Sequence, residues 1–336
     1  MGWILDRHDD LRYAYVTAKI RVFEKRLFSS TDIERMVVAK EVSEVWAIIS
    51  ESKFRGQEIV SQDYDRWLQE ELKQTYQLVN SLSRDAELTD LFRLNYDGHN
   101  WKLAWKSRLS GEDISSWILD LGTIPASELI SAVKKGDFSP LPVFWKKLAE
   151  VVGDRYQKEK DPVVIDTVIE TKLREFQWQQ VCKRKHPFLM ELFQILIDLA
   201  NIKSFIRRKT LGHSLESLNQ DLIEHGKIPA TNFRQWFGLT QDEVNRKVSR
   251  TPYGALLKEG LGKRDAGSFP VYIEKMGGNL VLDFLGVARY ITFGLEPLVA
   301  YLLRKENEIS VLRMIFTAKT YSLPEGMLRQ RIAGYG

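Results

Sequence analysis

The chain has 336 residues, 44% hydrophobic and 28% charged, with 49 basic and 45 acidic side chains for a net charge of +4. That is an ordinary globular composition with length for two or three domains and a substantial core. So small a positive excess is too weak to imply nucleic acid, where basic residues clustered on one face are expected, and the single cysteine, Cys182, excludes an internal disulfide and suits a reducing compartment.

The opening residues Met1 to Asp10 lack the basic start and apolar centre of a signal peptide. From there helical periodicity dominates and strand signals are nearly absent. The expected helices lie at about 11–28, 31–50, 58–82, 85–109, 114–121, 126–134, 140–159 and 162–183. They continue at about 187–209, 214–225, 230–237, 240–249, 271–290, 294–319 and 325–333, giving an all-α class. Thr31 to Glu34 and Thr240 to Glu243 both fit a capping box, in which hydroxyl and carboxylate satisfy orphan amides reciprocally. The longest apolar stretch, Leu280 to Leu303, carries Asp283, Arg289 and Glu296. Charges inside a membrane span are expensive, so this reads as two buried helices with no direct transmembrane segment.

One helical unit recurs three times. Leu91 to Arg108 aligns without a gap with Leu192 to Lys209, and a third copy runs from Leu302 to Lys319. The middle copy carries an apolar stripe at Leu192, Ile195, Leu199, Ile202 and Ile206. The first has Leu91, Leu94, Gly98, Trp101 and Trp105 there; the third has Leu302, Lys305, Ile309, Leu312 and Phe316. Gly98 and Lys305 are the exceptions. An acid (Asp97, Asp198, Glu308) and a base five residues later (Lys102, Lys203, Arg313) are expected to flank the stripe, as charges do beside a packed seam. Arg108, Lys209 and Lys319 fall at the helix ends, where a cation favours the dipole. Gly111 and Gly212 are the expected left-handed stops, with Pro324 ending the third copy.

A second shared element is Gly122-Thr123-Ile124-Pro125 and Gly226-Lys227-Ile228-Pro229. Each glycine is expected to close a short helix and each proline to hold an extended hinge before the next. Domains are expected at 1–112, 113–213 and 214–336.

The chemistry of common enzymes is missing. Glu259-Gly260-Leu261-Gly262-Lys263-Arg264 is no phosphate loop: Arg264 stands where Ser or Thr must reach magnesium, and Leu257 where a glycine is required. Asp265 denies it a dinucleotide fingerprint, so residues 260–268 read as a loop between units. His8, His99, His186, His213 and His225 make no metal spacing, and Asp9-Asp10 reads as a helix N-terminal pair. Cys182 beside Lys183-Arg184-Lys185 lacks a placed base, and Arg207-Arg208-Lys209 reads as a helix end. No catalytic residue, cofactor or metal is assigned.

The stretch Phe293-Gly294-Leu295-Glu296-Pro297 through Glu308-Ile309, with Leu312-Arg313, Lys319 and Leu328 to Ile332, closely resembles the C subunit of V-type and A-type rotary ATPases, whose eukaryotic counterpart is the d subunit of the vacuolar proton pump. Tyr13, Tyr15, Ala18, Arg21, Glu24 and Leu27 are similar to that family's opening helix, and Asp198, Asn201 and Lys203 match its middle. Val311 departs from the family's usual Asn. The resemblance implies three similar helical domains in a funnel of pseudo-threefold arrangement, on the cytoplasmic face of the membrane. It implies a non-catalytic socket joining the central shaft, subunits D and F, to the membrane rotor ring of proteolipid subunits, so that torque links ATP hydrolysis or synthesis to proton or sodium movement. The competing reading is a stand-alone helical scaffold that recruits soluble partners.

Overall fold

The computed structural model describes residues 10–54, 63–85, 87–249, 251–262 and 268–332. Among them the fold is all α-helix, with no strand. In chain order the helices are α1 (Ala14–Glu24), α2 (Ser30–Val38), α3 (Val42–Ile49), α4 (Tyr64–Leu82), α5 (Asp90–Ser110), α6 (Ala126–Lys135), α7 (Val143–Glu159) and α8 (Val163–Arg184). They continue as α9 (Pro187–Thr210), α10 (Leu215–Asp221), α11 (Ala230–Phe237), α12 (Gln241–Val248), α13 (Gly254–Gly262), α14 (Ser268–Leu285), α15 (Glu296–Thr320) and α16 (Glu325–Arg331).

The chain forms two compact units: one joins Met1–Ala86 to Asn245–Gly336, and the other is Glu87–Val244. In the second unit α5 packs on α6 and α8, α7 lies on α8, and α9 contacts α8, α10 and α11. Trp101, Trp105, Leu129, Trp145, Val152 and Ile169 sit in one apolar cluster there. In the first unit α15 packs on α1, α3 and α4, while α16 contacts α2 and α14. The expected cuts after residues 112 and 213 both fall within the second unit.

Several elements differ from expectation for local reasons. The helix expected over 31–50 is two helices, α2 and α3. Ala39 and Glu41 are extended, and the Glu44 carboxylate takes the Lys40 amide at 2.8 Å, a local bond that competes with helix continuation. Ser29, not Thr31, caps α2, its box closed by Asp32. The box of Thr240 and Glu243 forms as expected. The helix expected over 114–121 is one 3-10 turn, Ser115–Trp117. Gly260 and Gly262, read as loop, belong to α13, while 263–267 lie outside the described residues. The stretch 280–303 breaks between α14 and α15, and no helix among the described residues is long and apolar enough to cross a membrane.

Candidate functional site: three braced helices

The repeat helices are α5, α9 and α15, and their apolar stripes are buried except at Leu199, which is half-buried. Leu91, Leu94, Trp101 and Trp105 keep at most 7% exposure, Leu192, Ile195, Ile202 and Ile206 none, and Leu302, Ile309, Leu312 and Phe316 at most 1%. Burying such side chains stabilises each helix by about 1.5–3 kcal/mol apiece before conformational entropy is counted. Gly98 interrupts the first stripe because a side chain there would meet Leu173 of α8 at 2.7 Å. It permits close helix approach.

The repeated acids do not border the seam. Asp97, Asp198 and Glu308 are fully buried, a position too costly for a carboxylate without partners. Asp97 accepts the backbone N–H of Thr123 at 2.8 Å and of Ile124 at 3.2 Å, with the Thr123 hydroxyl at 2.6 Å. Asp198 accepts those of Lys227 at 3.1 Å and Ile228 at 3.0 Å. Each acid thereby satisfies the amides of its own Gly-x-Ile-Pro hinge, whose proline then caps α6 (Pro125) or α11 (Pro229). Burial pushes the Asp97 carboxyl above its ordinary range, although these hydrogen bonds pull the other way.

Gly122 and Gly226 do not close a helix as expected, since the elements before them end at Trp117 and Asp221, and neither is left-handed. Their requirement is space: a Cβ at either would overlap the carboxylate of Asp97 or Asp198. The left-handed stops are Gly111 (φ 77°) and Gly212 (φ 67°), as expected. In the third copy Ser322 (φ 51°), not Pro324, holds that place; Pro324 instead caps α16.

The terminal bases act on a second helix as well as their own. Arg108 lies in the last turn of α5 and donates to the Val133 carbonyl at the end of α6, at 3.0 Å. Lys209, in the last turn of α9, donates to the Phe237 and Leu239 carbonyls at the end of α11, both at 2.6 Å. Acid and base so brace one short helix at both ends, each supplying partners that a helix terminus lacks.

The third brace uses the other end of the chain. Glu308 accepts the N–H of Phe28 at 2.6 Å, and Lys319 of α15 donates to the Val37 carbonyl at the end of α2. Residues 28–37 therefore stand where 124–133 and 228–237 stand in the other copies, in the same register. The Leu27 amide is turned to Glu24, and the Lys305 ammonium reaches Glu308 at 2.7 Å and Glu71 at 3.2 Å. This explains the exception on the stripe: Lys305 neutralises the buried acid of the copy whose hinge comes from elsewhere.

The middle bases have different roles. Lys102 and Lys203 both point at Glu170 of α8, at 3.9 and 3.6 Å, and Arg313 meets Asp65 of α4 at 3.1 Å. Burial works to raise the Glu170 carboxyl, but Lys203 and Lys102 outweigh it and hold it below the usual carboxylate range. Burial likewise lowers the Lys102 ammonium.

Sequence reasoning passed over Asn100, Arg93 and Glu170, and gave Asn201 no structural role. Asn100 and Asn201 each grip one loop residue from both sides: Leu119 through its N–H (3.0 Å) and carbonyl (2.7 Å), and Ile223 likewise (both 2.8 Å). Their shared place in the gapless alignment was the available signal. Arg93 donates to the carbonyls of Leu121 and Gly122, and Glu170 had no repeat partner to mark it. His99 contacts the Trp117 carbonyl, His213 meets Arg208, and His225 stacks on Trp178. His8 and Asp9 lie outside the described residues, and Asp10 caps the turn before α1. No group of three or more His, Cys, Asp or Glu among the described residues could hold a metal.

The chain matches the family model of the ATP synthase (C/AC39) subunit over residues 16–331. It is 24% identical to the C subunit of the A-type ATP synthase of Methanothermobacter thermautotrophicus, covering 96% of this chain and 88% of that one. It is 20% identical to the C subunit of the V-type sodium ATPase of Enterococcus hirae, covering 96% and 98%. A third relative, the C subunit of the A-type ATP synthase of Methanocaldococcus jannaschii, is 22% identical over 97% and 88%. A protein built of three helices braced by one rule, and similar to these proteins along nearly its whole length, belongs to the ATP synthase (C/AC39) subunit family.

Proposed function

We propose that this chain is a non-catalytic rotor subunit of an A/V-type ATPase, a socket that fastens the central shaft of subunits D and F to the membrane ring on its cytoplasmic face. The observation that carries this reading is the brace repeated on α5, α9 and α15. Each buried acid and terminal base locks a short helix against a long one, which favours a rigid connector over a cleft that opens for substrate. The relatives' names place them in A-type ATP synthases and a V-type sodium ATPase, and full-length similarity supports the same setting here. Three successive domains, 1–112, 113–213 and 214–336, would then surround the shaft, with residues 28–37 of the first completing the brace of the last.

The test is a complex assembled with and without this chain. Without it, ATP hydrolysis should persist while ion movement across the vesicle membrane is lost, and adding the purified chain should restore coupling. Ion movement that continues at full rate without the chain would refute the socket. Failure of the chain to co-purify with subunits D and F would leave the scaffold reading in its place.

A further inference from the structure

The three braces have one geometry but not one construction. In the first two copies the braced helix follows the repeat helix along the chain: the acid and its amides are 26 to 30 residues apart. In the third, Glu308 and Phe28 are 280 residues apart. We propose that residues 25–38, the turn after α1 together with α2, form a releasable strap. It undocks from α15 as a preformed helix, which α6 and α11 do not do from α5 and α9.

Three further observations support this. Val311 is fully buried where Asn100 and Asn201 grip their loops from both sides, so the third copy lacks that side-chain clamp. The strap also borders two cavities. One of about 840 Å³ is lined by Leu27, Phe28, Ile33 and Val37 among others; a second of about 270 Å³ is lined by Phe23, Arg26 and Leu27 among others. Leu27 is the wall between them, so along this edge the strap faces water-accessible space instead of close-packed neighbours. Finally, the Ser29 and Asp32 capping box lies inside the strap, so α2 keeps its N-terminal cap when it leaves.

Among the contacts that hold the strap are the Phe28 amide on Glu308, Lys319 on the Val37 carbonyl, the apolar anchors Phe28, Ile33, Met36 and Val37, and polar contacts at the surface, Arg329 with Glu34, Arg35 with Glu51 and the Ser52 hydroxyl on Asp32. An exposed pair adds little. Release would uncover Glu308 and Lys305 and merge the two cavities into one cleft. The strap is thus the movable joint of an otherwise braced chain, and it stands on this geometry independently of the socket reading.

Amide hydrogen exchange on the full-length chain tests it, because 28–37, 124–133 and 228–237 are three equivalents in one molecule. The strap should exchange at least about tenfold faster than either counterpart, in the range expected of a local opening unit. Leu27→Phe, which fills the wall between the cavities, should slow the strap severalfold and leave the other two segments unchanged. Equal exchange in all three segments would overturn the proposal. So would exchange of α15 at the same rate as the strap, since that would mean the whole unit opens together.

Discussion

Asp97 is a carboxyl with no exposed surface, held by two amides and a hydroxyl. Replacing it with Ala strands the Thr123 and Ile124 N–H groups in the interior and should cost about 3 kcal/mol in urea unfolding. Asn keeps one acceptor and should cost less. The pH dependence follows from burial. A folded-state pKa above the ordinary 3.8 means that the protonated form favours the fold. The Asp97 contribution is therefore largest in acid and falls as pH rises through the raised pKa. Asn does not titrate, so the cost of Asp97→Asn should be greatest in acid and shrink toward neutral pH; an unchanging cost would count against the raised pKa.

Gly226 is fixed by space instead of hydrogen bonding. A methyl group there would overlap the Asp198 carboxylate, so Gly226→Ala should cost about 2–3 kcal/mol in thermal or urea unfolding. Gly238 ends the neighbouring helix at φ −80° with open space where a Cβ would stand, so Gly238→Ala should be neutral or stabilise by up to about 1 kcal/mol. If the two variants behaved alike, close approach to the acid would not be the reason for Gly226.

Among the helices, α8 is the shared partner of two copies. Its Glu170 sits between Lys102 of α5 and Lys203 of α9, half-buried, so solvent screening keeps the pair energies modest. Glu170→Gln should destabilise the chain by about 1 kcal/mol at neutral pH. The Glu170 pKa is lowered on folding, so its contribution is present above the unfolded value of 4.5 and is lost as pH falls through the folded one. The deficit of the variant should vanish in acid. A deficit that persisted there would point to packing instead of charge. The same helices show what periodicity can convey: stripe and helix class were legible because burial repeats every three or four residues. The split of α2 from α3 was not, because one Glu44 to Lys40 bond decides it.

Across the chain, the repeat was visible as a pattern and misleading as a layout. Asp97, Lys102 and Arg108 were marked by recurrence alone, and recurrence cannot say whether a carboxylate points into a hinge or borders a seam. That depends on where Thr123 and Ile124 return in space. The third copy makes the limit plain. Residues 28–37 share only apolar character and spacing, at Ile33, Met36 and Val37, with their counterparts, too little to recognise, and they reach Glu308 from 280 residues away. One of the two compact units therefore joins the first 86 residues to the last 92, counted from Asn245 to Gly336.

The all-α class, the three repeat helices, their left-handed stops at Gly111 and Gly212, and the family resemblance were all legible in the order of amino acids. Neighbours a few residues apart set them, through periodic burial and local backbone preference. What the repeated charges do, why Gly122 and Gly226 must be glycine, what Lys305 neutralises, and which segment closes the third brace emerge only from the packed chain. Those depend on groups distant in sequence that meet once the helices pack, where a buried charge without its partner would cost the fold several kcal/mol, on the order of 3–5.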